Sequence, residues 1–158
     1  MADCCNSVTL PGQDRGDTRC PRCGNPGKKV PLITLKSLLL PEALARLEPG
    51  RTYHLCLNSG CRVAYFDGEG TVFTTSELKV PVWQKTSDME CPVCYCFGWT
   101  PARIKKEIEE TGASTAVASI TEHIRAGRCG CEVNNPQGSC CLGNVNRVVR
   151  SLLKEAEP

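Results

Sequence analysis

The 158-residue chain reads as α+β, a small antiparallel β module followed by a helical one. Two patterns predict this. Between positions 28 and 83 the apolar residues fall in short, partly alternating runs separated by turn formers. Beyond position 100 they recur at helical spacing behind hydroxyl and proline start signals. A third observation bears on what holds such modules together. Hydrophobic content is 41% but aromatic content only 5%, so the core is aliphatic and thin, and the 13 cysteines are the natural staples.

Residues 1–18 are polar and punctuated by Gly and Pro, and are expected to form a flexible lead. Residues 19–84 form the β-rich module. Strands are expected at 28–34, 51–57, 62–66, 71–74 and 77–83, with a hairpin turn at 67–70. The stretch 35–47 is broken by Pro41, which is tolerated only in the first turn of a helix, so one or two short helical turns are expected there. Residues 84–90 are polar and read as a linker. The helical module spans 91–153. Thr100 and Pro101 supply a cap and a first-turn proline for a helix carrying Ile104 and Ile108 and stopping at Gly112. Ser114 opens a second, with Val117, Ile120 and Ile124 on one face and Gly127 at its end. Residues 134–138 are a turn-rich loop, and Val145, Val148, Val149 and Leu152 stripe a last helix.

The N-terminus has no basic and apolar leader, and the apolar run at 38–40 is far too short to span a membrane. A cytoplasmic chain is therefore expected, with no membrane partner. Thiols stay reduced in that compartment, and 13 is an odd number, so ligation is favoured over disulfides. A net charge of +2 without a basic stripe argues against nucleic acid as a partner.

The cysteines fall into two constellations. Cys20 and Cys23 form one close pair, Cys56 and Cys61 another, each on a turn of the strand-rich module. Four thiolates converging in this way close a tetrahedral zinc site and leave no open position for a substrate. Arg19, Arg22 and Arg62 are expected to offset its negative charge. The second set is Cys91, Cys94, Cys96, Cys129, Cys131, Cys140 and Cys141, on loops beside helix ends. A Cys-x-Cys pair strains a single tetrahedral ion more than Cys-x2-Cys does, and suits a [2Fe–2S] core held by four cysteines. A second zinc is the alternative. No catalytic residue is expected.

These residues resemble a known family. Val93 to Cys96 (VCYC), then 34 residues, then Cys131 to Cys141 (CEVNNPQGSCC), is similar to the bacterioferritin-associated-ferredoxin-like [2Fe–2S] domain. More closely, it resembles the version in the N-terminal half of CopZ-type copper chaperones. Cys20, Cys23 and the run from Cys56 to Phe66 (CLNSGCRVAYF) resemble that family's zinc site and following strand. Thr71 to Phe73 and Glu77 to Lys79 fit the segment after it, so the resemblance covers residues 19–150. It implies zinc on Cys20, Cys23, Cys56 and Cys61. It implies the cluster on Cys94, Cys96, Cys131 and Cys141, with Cys129 and Cys140 as alternatives to the last two.

Full-length chaperones of this family carry a separate copper-binding domain after this region. Only 17 residues follow Cys141, so that domain is not expected in this sequence. Met89, Cys91 and Cys94 do spell a Met-x-Cys-x2-Cys motif for Cu(I), but that motif needs a strand before it and a helix directly after. The expected function is a redox accessory in copper handling, reducing Cu(II) or delivering Cu(I) to a copper chaperone or a copper-exporting ATPase. Alternatives are a small electron-transfer protein for another redox partner, and a zinc-stapled interaction module. His54 and His123 are expected to be structural and surface residues, Trp83 and Trp99 packing residues, and Cys4 and Cys5 part of the lead.

Overall fold

A computed structural model describes residues 18–158. Four short strands form one antiparallel sheet in sequence order: β1 (Gly27–Val30), β2 (Tyr53–Cys56), β3 (Val63–Phe66) and β4 (Val72–Thr74). Gly27 pairs with Cys56, His54 with Phe66, and Tyr65 with Phe73. A sheet with this strand order needs only short connections, and the β3–β4 turn illustrates how one is fixed. Asp67 Oδ1 accepts from the amides of Glu69 and Thr71 at 2.8 and 2.9 Å, and Arg51 Nη1 donates to Asp67 Oδ2 at 2.8 Å. Burial raises the Asp67 pKa, but these donors outweigh it and hold the carboxyl below its ordinary value.

Helices α1 (Leu32–Leu38) and α2 (Pro41–Leu44) cover the sheet, with Pro41 at a helix start as the sequence requires. Leu35, Leu39, Tyr53, Leu55, Tyr65, Phe73 and Leu78 fill this core. Two expected strands are corrected here. The strand expected at 28–34 ends at Val30, because Pro31 lacks the N–H to continue a ladder and instead precedes α1. The strand expected at 77–83 is absent from the sheet. Thr75–Glu77 makes a 3₁₀ turn with a reciprocal Thr74–Glu77 capping box, and only Leu78 bridges back, to Leu39.

The helical part comprises α3 (Pro101–Thr111), α4 (Ala116–Arg125), α5 (Cys131–Asn134) and α6 (Leu142–Ala156). Thr100 Oγ1 caps α3 by accepting from the Arg103 amide at 3.1 Å. Ile104, Ile108, Ile120, Val145 and Leu152 face inward with Val93 and Trp99 to form a second core. The expected linker is not slack. Trp83–Lys85 forms a 3₁₀ turn, Trp83 packs on the helical core, and Gln84 Nε2 donates to Gln137 Oε1 at 2.8 Å. The short helix α5 has no counterpart in the sequence reading. Four residues are too few to show a periodicity.

Candidate metal and thiolate sites

Cys20 and Cys23 lie on the turn before β1, Cys56 ends β2, and Cys61 precedes β3. Sheet pairing brings these three places to one end of the module. The four sulfurs all lie within 4.8 Å of one another. Cys20 and Cys61 are 3.9 Å apart and Cys23 and Cys56 3.6 Å. A zinc ion bonded to sulfur at about 2.3 Å would hold its ligands about 3.8 Å apart, close to the separations of these two pairs, so the cage fits zinc. The turns also supply donors. The backbone of Asn25 bonds Cys23, that of Asn58 bonds Cys56, and that of Val63 bonds Cys61, each two residues beyond its cysteine.

The two halves of the cage differ electrostatically. The Asn25 amide and neighbouring groups draw the Cys23 thiol down to about 6. Burial pushes Cys56 up to about 12 and Cys61 upward. A cation offsets this at Cys56. Lys85 Nζ hydrogen-bonds that thiol and donates to Asn58 O at 2.6 Å. Sequence reasoning looked for this charge at Arg19, Arg22 and Arg62 and missed Lys85. Lys85 stands 24 residues after Cys61, and nothing in local spacing points to it. His54 is buried and stacks on Phe66 at 5.6 Å, in keeping with a structural role.

The second set is organised differently. Cys94 and Cys96 sit on the turn before α3, Cys131 opens α5, and Cys141 caps α6. Cys96 and Cys131 are 3.8 Å apart, and Cys141 acts electrostatically on both Cys94 and Cys131. Cys94 and Cys141 are buried, whereas Cys96 and Cys131 are half-buried, so one edge of the group reaches solvent. Cys96 Sγ also accepts from Gly130 N at 3.3 Å and Asn134 Nδ2 at 3.5 Å. The hydrogen bond from Cys141, seconded by that from Cys96, pulls Cys131 down to about 3. Cys94 falls to about 7 through Cys141. Cys96 and Cys141 rise, chiefly through Cys131 and further through partial or full burial.

The donor set is of the all-cysteine kind that iron–sulfur clusters take. Cys140 is a free, half-buried thiol beside Cys141. Cys129 is disulfide-bonded, an exception to the expectation of reduced thiols, while the ten other described cysteines are free. Cys4 and Cys5 lie outside the described residues.

Cys91 stands apart from these four. It is buried, with its thiol 3.8 Å from Pro92 O and 4.0 Å from the Tyr95 hydroxyl. No strand precedes Met89, and the next helix starts only at Pro101, so the local fold is not that of a Met-x-Cys-x2-Cys copper loop. Trp99 is buried in the helical core beneath the Arg103 guanidinium, 3.7 Å from its ring. His123, expected at the surface, is half-buried. It stacks on Phe97 at 4.1 Å and accepts from Arg128 Nε at 2.9 Å. Among the described residues, no helix is long and apolar enough to cross a membrane.

Comparison with known proteins agrees with this architecture. The CopZ zinc-binding domain family (zf_CopZ) matches residues 17–79. The copper chaperone CopZ of Archaeoglobus fulgidus is 32% identical over 131 residues, which cover 82% of this chain. The aligned region spans only 61% of that relative's length. The X-ray structure of the Archaeoglobus fulgidus CopZ N-terminal domain superimposes with a TM-score of 0.67 at 32% identity, covering 82% of this chain and 96% of that one. A four-stranded sheet followed by helices, a zinc-binding domain match over the four-cysteine cage and near-complete coverage of a solved N-terminal domain together place the chain in the CopZ N-terminal-domain family.

Proposed function

We propose that the chain is a cytoplasmic redox accessory in copper handling, with a structural zinc on Cys20, Cys23, Cys56 and Cys61 and a [2Fe–2S] cluster on Cys94, Cys96, Cys131 and Cys141. The observation that supports this reading is the gathering of four cysteines from distant parts of the chain, Cys94 and Cys141 buried in the helical core and Cys96 and Cys131 3.8 Å apart at its edge. A bound cluster supplies one-electron chemistry. The protein's own residues do the rest. Cys94 and Cys141 are buried against the helical core and anchor the group. Cys96 and Cys131 hold the half-exposed edge, where electrons would enter and leave, and the Gly130 and Asn134 donors stabilise negative charge on Cys96.

Cu(II) is the substrate on this reading. It takes one electron, supplied by a redox partner, and leaves as Cu(I) for a copper chaperone or a copper-exporting ATPase. The copper part is supported by the similarity to a copper chaperone.

The test is metal and sulfide analysis of anaerobically purified full-length protein, followed by addition of Cu(II) with a Cu(I)-specific chromogenic chelator. The expected result is one zinc, two irons and two sulfides per chain, visible absorption that bleaches on prior reduction, and recovery of that absorption on adding Cu(II) in proportion to the Cu(I) formed. Colourless zinc-only protein overturns the redox reading. A coloured protein that forms no Cu(I) restricts the function to electron transfer for another oxidoreductase.

A further inference from the structure

The loop between Cys131 and Cys141 does not stand on its own hydrogen bonds alone. Three of its backbone carbonyls are satisfied by side chains of the β module. Thr34 Oγ1 donates to Glu132 O at 2.5 Å, Ser37 Oγ to Val133 O at 2.7 Å, and the Tyr65 hydroxyl to Pro136 O at 2.5 Å. Lys28 Nζ donates to Ser139 Oγ at 2.7 Å. Gly138 adopts φ +66°, and a Cβ there would meet Pro31 Cδ at 2.6 Å and Thr34 Oγ1 at 2.7 Å, so the loop backbone lies directly on the start of α1.

Within the loop, Gln137 Nε2 donates to Ser139 O at 3.2 Å and Cys140 O at 2.9 Å, and its Oε1 accepts from Asn144 and Gln84. A displacement at Tyr65 is thereby passed to the peptides that carry Cys141. Tyr65 in turn lies on β3, whose residues Val63 and Phe66 pack on Cys20, Cys56 and Cys61.

We propose that Thr34 and Tyr65 are positioning residues for the second thiolate site: they clamp the Cys131–Cys141 loop onto the β module, so that zinc at the first site is a precondition for bringing Cys131 and Cys141 to Cys94 and Cys96. The carbonyls belong to the loop and the donors to the β module, while the zinc cage is built only from turns of the β module itself. The inference rests on the proposed reading of those four cysteines as one site, but not on which cofactor fills it.

The experiment uses the full chain loaded with zinc and free of iron. Alkylation by iodoacetamide is followed at each cysteine by mass spectrometry, with buried Cys91 as the internal standard. Thr34→Val and Tyr65→Phe each remove one hydroxyl and keep the side-chain shape. Each is expected to retain one zinc and to speed alkylation of Cys131 and Cys141 roughly tenfold, as loss of a buried hydrogen bond implies. Thr34→Ser restores the hydroxyl and the slow rate. Chelating zinc from the unaltered protein speeds the same two cysteines and leaves Cys91 slow.

Unchanged rates at Cys131 and Cys141 in both single variants overturn the proposal. So does an equal rise at Cys91, which would mean general unfolding. If either variant loses zinc, the Val-against-Ser comparison at position 34 and the zinc-removal arm decide. Reconstitution of the unaltered protein with iron and sulfide tests the cluster reading separately. A chain that takes no cluster but shows the clamp effect loses the first proposal and keeps this one.

Discussion

The two cysteine groups use the same side chain to make opposite kinds of site. In the first, four sulfurs close on one point within 4.8 Å, and sheet pairing fixes where they meet. In the second, Cys94 and Cys141 are buried, whereas Cys96 and Cys131, 3.8 Å apart, are half-exposed. A closed cage suits a single ion whose task is to hold strands together. An extended group with an edge toward solvent suits a task that involves exchange with something outside. The difference lies in the scaffold. Strand ends offer rigid positions set by register, whereas the second group depends on a loop held by a neighbour's side chains.

The largest test of this contrast is to remove one ligand from each site. Cys56→Ser should release the zinc and abolish the cooperative unfolding of the β module. Structural zinc in small modules contributes on the order of 10 kcal/mol. Melting followed by near-ultraviolet circular dichroism, with zinc analysis, checks it. Cys141→Ser should instead leave one zinc in place and remove visible absorption from anaerobic protein. Loss of both metals in this variant would break the distinction between the sites.

A smaller effect separates the zinc cage from the rest of its module. Asp67 has no exposed side-chain surface and accepts from Arg51 and two amides, so Asp67→Ala is expected to cost about 3 kcal/mol while zinc stays bound. Denaturant titration of the zinc-loaded protein measures it. The pH dependence has a definite sign. The Asp67 pKa is lowered on folding, so its contribution is complete above the ordinary carboxylate range near about 4 and is lost as pH falls through the lower folded value. The Ala variant should show a correspondingly flatter acid limb.

The smallest effects belong to the helical part. Thr100→Ala removes the cap of α3 and is expected to cost about 1 kcal/mol, with no change at the zinc site. Lys105→Ala breaks only an exposed pair with Glu109 and should cost less than about 0.5 kcal/mol. Thermal melts of the two variants side by side check both values.

Much of this fold was legible along the chain because its signals are local. Thr100 and Pro101 start a helix, Gly112 stops it, and Asp67 makes a turn, each through atoms only a few residues away. The close pairs Cys20 and Cys23, and Cys56 and Cys61, likewise predict a cage, since each turn presents its own sulfurs. The strand expected near Leu78 failed because alternation was taken for pairing. An apolar residue can be buried against a helix through one bridge and join no sheet.

What the sequence alone determined is the type of each module and the four cysteines that close the first cage. The reasons are periodicity, capping and the affinity of thiolates for soft metals. Only the tertiary structure decided which cation meets Cys56, that Cys96 lies beside Cys131, and what holds the Cys131–Cys141 loop. Lys85, Tyr65 and Thr34 act across separations of 29, 71 and 98 residues. Contacts at such range come from how sheet and helices pack, and no local spacing encodes them.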